Sequence, residues 1–96
     1  MNPKGMRKTH EQALANLDAL PKAKTWDEAM ARTGCRMASE RTIEVCDIFD
    51  RLTDEERARL AAIPIYRSDM REVADIKEKY SVSWNELRML RGMAHS

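Results

Sequence analysis

The sequence predicts an all-α fold, a small bundle of about five to six short helices. Three observations carry this. Four segments, Thr9-His10-Glu11-Gln12, Thr25-Trp26-Asp27-Glu28, Thr53-Asp54-Glu55-Glu56 and Ser83-Trp84-Asn85-Glu86, read as Ser/Thr-x-x-Glu/Gln capping boxes. In such a box the hydroxyl accepts a backbone N–H of the first turn and the Glu or Gln side chain reaches back to the cap. Apolar residues recur at helical spacing, and the best strand candidate, Ile63-Pro64-Ile65-Tyr66, is interrupted by proline.

Taken in order, helices are expected near residues 10–20, 26–33, 39–52, 54–62, 69–80 and 84–93. Pro21, Gly34, Pro64 and Ser81-Val82 supply the breaks. Residues 1–8, with Lys4, Arg7 and Lys8, read as a basic mobile tail, and residues 9–96 as a single helical domain. In the first helix Ala13, Leu14, Leu17 and Leu20 form one narrow apolar stripe. The segment 39–52 is different: Ile43, Val45, Cys46, Ile48, Phe49 and Leu52 spread over roughly 220° of its circumference, which marks it as the central helix. A chain this short has few residues to surround so wide an arc, so a homodimer joined through Ile43, Cys46 and Phe49 is expected.

The 96 residues are 43% hydrophobic and 34% charged, a foldable composition that suits one domain. Seventeen basic and 16 acidic side chains leave a net charge of +1, so no global field draws the chain to nucleic acid or an anionic membrane. Residues 1–24 hold five basic against two acidic groups and are the electropositive part. Two cysteines, Cys35 and Cys46, are too few for a disulfide framework, and no leader-like segment is evident, so a cytoplasmic location is expected. No apolar stretch approaches the roughly 18–20 residues that cross a bilayer.

Catalytic signals are weak. His10 and His95 lie near the chain ends, no Cys/His spacing suits zinc, and three scattered glycines cannot form a phosphate loop. Glu40, Glu44 and Asp47 share a helix face but have Arg41 and Arg51 beside them, as a solvated ion-paired surface does. The chain is expected to be no enzyme and to need no metal or cofactor.

The segment from Ile76 to Leu90 resembles the helix-turn-helix of bacterial repressors. Ile76, Tyr80, Val82, Leu87 and Leu90 occupy its apolar positions, and Val82-Ser83 its turn and second-helix cap. Lys77 stands where the motif holds a small apolar residue, and Ser81 replaces the turn glycine. The resemblance implies that Ser83, Trp84, Asn85, Arg88 and Met89 face the major groove, with Asn85 suited to adenine and Arg88 to guanine.

Two functions compete on this C-terminal helix-turn-helix-like pair. The favoured one is a small regulator, an inhibitor, anti-activator or adaptor, that binds another protein through Trp84, Leu87, Met89 and Met93. Trp and Met are enriched where proteins meet, and seven methionines supply adaptable surface. The alternative is a DNA-binding transcriptional regulator that uses residues 69–93 through Ser83, Asn85, Arg88 and Arg91.

Overall fold

A computed structural model describes residues 2–96. The chain forms α1 (Pro3–Ala19), α2 (Trp26–Arg51), α3 (Asp54–Ala61), a single 3₁₀ turn (Arg71–Val73), α4 (Ala74–Tyr80) and α5 (Trp84–Ala94). The all-α class is as the sequence predicts, and the described residues contain no strand. None of these helices is long and apolar enough to cross a membrane.

The boundaries differ from expectation in three places, one of them the helix expected near 69–80, which is a 3₁₀ turn at Arg71–Val73 followed by α4 only from Ala74. The first helix begins at Pro3 rather than near residue 10, so the segment read as a mobile tail is the start of α1. Asn2 is its cap: the side-chain oxygen accepts from the Lys4 and Gly5 amides, at 3.0 and 3.4 Å, and Pro3 sits where its missing N–H costs nothing. Thr9, expected as a cap, lies inside the helix, and Arg7 is anchored to Asp47 and Asp50 of α2.

Another difference is Gly34. The sequence marks it as a break, but α2 runs through it for 26 residues, about 39 Å at 1.5 Å per residue. One helical glycine costs only about 1 kcal/mol against alanine. The flanks are good helix formers and are tied to α1, with Arg36 to Asp18 at 2.6 Å. Thr25 caps α2 by accepting the Glu28 amide at 3.1 Å, while Glu28 reaches back to Lys24 rather than to Thr25 itself. The boxes at Thr53 and Ser83 are complete and reciprocal.

The molecule is elongated, 48 × 23 × 22 Å, because its two ends are built differently. The C-terminal half of α2 joins α3, α4 and α5 in a head whose core includes Val45, Ile48, Leu60, Met70, Ile76, Leu87 and Leu90. The N-terminal half of α2 and the antiparallel α1 form an arm in which no α1 residue is fully buried. Leu14 and Leu17 are only half-covered there.

Two carboxylates clamp the head. Glu56 of α3, buried, accepts the Tyr80 hydroxyl at 2.7 Å, the Lys79 ammonium at 3.0 Å and the Thr53 amide at 2.9 Å. Burial alone pushes this carboxyl up, but those donors outweigh it and hold it at about 2. Glu86 of α5 is held at about 2 chiefly by the Arg41 guanidinium at 2.6 Å, against burial, with help from the Ser83 amide. Both groups titrate below their unfolded value of roughly 4.3, so their contribution is full above that pH and is lost as pH falls. Urea midpoints are therefore expected to decline from about pH 4.5 towards pH 2, and a Glu56→Gln/Glu86→Gln chain should be less stable at neutral pH with a flatter decline. An unchanged decline in the double variant would remove these two groups as its cause.

Candidate nucleic-acid interface

The site grows from the corner between α4 and α5. Ser81 ends α4 in the left-handed region, φ 53° and ψ 46°, the conformation for which the motif customarily uses glycine. The Val82 amide bonds the Lys77 carbonyl at 3.1 Å, which closes the helix end, and Val82 then dives into the core. Ser83 caps α5 through its full box with Glu86. Ile76, Val82, Leu87 and Leu90 are all buried and Tyr80 half-buried, the burial pattern that the resemblance implies.

Opposite this buried side, Trp84, Asn85 and Arg88 stand within about 100° of one another around α5 and are exposed, beside exposed Ser83. Arg88 donates to Asn85 at 2.8 Å and to the Ser68 carbonyl at 3.3 Å, so these two side chains are held side by side. Trp84 is 41% exposed and walls a shallow groove of about 290 Å³ with Ser68, Asp69, Met70, Arg71 and Arg88. Lys77, the unexpected residue of the motif, is half-buried and places its ammonium 5.1 Å from the Trp84 ring centroid. Its stem covers the helix face while its charge rests on the indole, which reconciles a lysine with that position.

Several expected site residues are moved elsewhere. Leu87 and Met93, expected on a protein-binding surface, are core residues at 0% and 2% exposure, so that surface retains only Trp84 and the half-buried Met89. Arg91, expected to contact DNA, is buried and donates to the Pro64 and Arg67 carbonyls, holding the long α3–α4 connector. Of the expected dimer residues, Cys46 is fully buried in the single chain, while Ile43 is half-covered and Phe49 lies half-buried with the Arg57 guanidinium 4.5 Å from its ring. Part of the wide apolar arc of α2 is covered by α1 and α5 of the same chain.

The sequence reading missed one feature. Trp26, Met30 and Met37 are 76%, 52% and 64% exposed on the arm. Splitting α2 at Gly34 hides the fact that they share one face; continuing the helical period through the glycine would have found it.

Arg71 is highly exposed but grips both Asp69 oxygens, and Arg67 pairs with Glu72. The surroundings of the corner are therefore close to neutral. Among the described residues no group of three or more His, Cys, Asp or Glu side chains is arranged to hold a metal ion. Comparison with models of known protein families, with curated proteins and with solved structures found no match.

Proposed function

We propose that the chain binds duplex DNA, with α5 lying in the major groove as the recognition helix of a helix-turn-helix. The observation that carries this reading is the corner at Ser81: its left-handed turn and the capped start of α5 bury Val82, Leu87 and Leu90 on one side. They leave Ser83, Asn85 and Arg88 exposed together on the other. Asn85 has the donor and acceptor pair that matches adenine, and Arg88 the fork that matches guanine O6 and N7.

Charge sets the expected strength. Residues 68–96 hold five basic and five acidic side chains, so few phosphates are neutralised and affinity falls only shallowly with salt. Specificity then rests on base edges more than on backbone attraction. The reading of α5 as a surface for another protein has lost Leu87 and Met93 to the core, which is why DNA is preferred here.

Selection from a randomised duplex library at about 50 mM salt tests the proposal, because whatever phosphate attraction the near-neutral corner has is least screened there. A sequence preference is expected. Asn85→Ala and Arg88→Ala should each cost about 1–3 kcal/mol on the preferred site and relax the base preference at one position, with the helical circular dichroism unchanged. Undetectable duplex binding under these conditions would dismiss the DNA reading.

A further inference from the structure

We infer that a second copy of this chain docks on the arm of the first, α2 against α2 in antiparallel sense, with Trp26 of each copy seated in a groove beside Arg41, Glu44, Ile48 and Tyr80 of the other.

The face is a line. At about 100° per residue Trp26, Met30 and Met37 fall within roughly 40° of one another around α2. They lie roughly 130° from the side where Arg36 and Ser39 meet α1 and Arg32 meets the Pro21 carbonyl just beyond it, and Trp26, Met30 and Met37 all stay more than half exposed. Three large apolar side chains aligned on an arm make a contiguous patch, unlike the scattered apolar residues of an ordinary surface.

The same line continues into the head. Arg41, Glu44 and Ile48 come round to the same side of α2, and with Asp47, Arg51 and Tyr80 they wall a groove of about 400 Å³. One chain thus carries a large protruding ring at one end of the line and a concavity at the other, which is what a twofold contact between identical surfaces requires.

The register follows from the spacing. A twofold axis between Thr33 and Gly34 sets Met30 opposite Met37 and Trp26 opposite Arg41. Helical side chains lean towards their own N-terminus, so the Trp26 ring reaches further along its antiparallel neighbour, to Glu44 and Ile48 in the groove, with the Arg41 guanidinium against its face.

Gly34 supplies an independent observation. A Cβ added there would meet nothing within 4 Å, so the single chain has no steric need for glycine, yet it bears the cost of about 1 kcal/mol. Beside a helix crossing the missing side chain lets the two backbones approach. The position next to the axis is where that approach is closest.

Light scattering on the whole chain without DNA tests the inference separately from the DNA reading. At about 100 µM the wild type should have a mass of about 22 kDa, twice that of the chain. Trp26→Ala and Met37→Glu alter exposed side chains and should each return the mass to that of one chain with unchanged helical circular dichroism. With Cys35→Ser as background, Thr33→Cys beside the axis should cross-link two copies on mild oxidation. A wild-type monomer at that concentration, or a dimer that both substitutions leave intact, overturns the inference. A dimer in which Thr33→Cys fails to cross-link overturns the antiparallel register.

Discussion

Leu87→Ala is expected to destabilise the chain by about 2–5 kcal/mol, because a fully buried leucine leaves both lost transfer energy and a cavity. A domain of this size has a total stability of roughly 5–14 kcal/mol, so the loss is a large fraction of the whole. Leu87 faces the core on the inner side of α5, opposite Asn85 and Arg88, and the helix has no second way to fill the space. Urea unfolding followed by circular dichroism measures the effect. Trp84→Ala, three residues earlier on the exposed side, should change unfolding free energy by less than about 1 kcal/mol. Equal small effects at both positions would mean that Leu87 does not pack in the core, and the orientation of α5 on which the DNA reading depends would go with it.

Arg91→Ala is expected to cost about 2–4 kcal/mol, although arginine on a short C-terminal helix reads as a surface residue. Its guanidinium is buried, and burial lowers its pKa, with Arg88 and Arg67 adding repulsion. What it gains is the connector between α3 and α4: it donates to the Pro64 and Arg67 carbonyls, 3.1 Å to the former, while His95 donates from Nε2 to the Ile63 carbonyl at 2.8 Å. Alanine would leave the Arg67 carbonyl without this donor and the Pro64 carbonyl with the Arg67 amide alone, at 3.0 Å. Both bonds come from Nη1, and the shorter lysine side chain does not carry its ammonium out to that point, so Arg91→Lys should recover only part of the loss. Arg88→Ala is the contrast, within about 0.5 kcal/mol in stability while weakening DNA binding. Thermal and urea unfolding of the three variants checks the order; a loss at Arg88 as large as at Arg91 would refute the assignment of one arginine to the fold and the other to the site.

Much of the C-terminal corner was legible because its signals are local. A capping box needs only two residues three apart, so the boxes at Thr53 and Ser83 could be read directly. The turn at Ser81 was recognisable from the apolar spacing around it, even with serine in the glycine's place. The same local logic failed at Thr9, where a matching pattern lies in the middle of α1 because Asn2-Pro3 starts the helix earlier.

What the sequence by itself determined is the helical class, most helix ends, and the apolar side of α5. These follow from hydrogen-bond geometry and from the 3.6-residue period, both written into neighbouring residues. Which polar residue is turned inward was decided only by the tertiary structure. Arg91 and Arg88 are three apart and equally basic; one is buried because the α3–α4 connector brings two carbonyls to it, the other stays exposed because on its side of α5 the connector meets it only at the edge, through the Ser68 carbonyl. The continuity of α2 through Gly34 was likewise decided by packing. A cost of about 1 kcal/mol is outweighed once α1 is ion-paired along the helix, and no pattern within a few residues of the glycine carries that information.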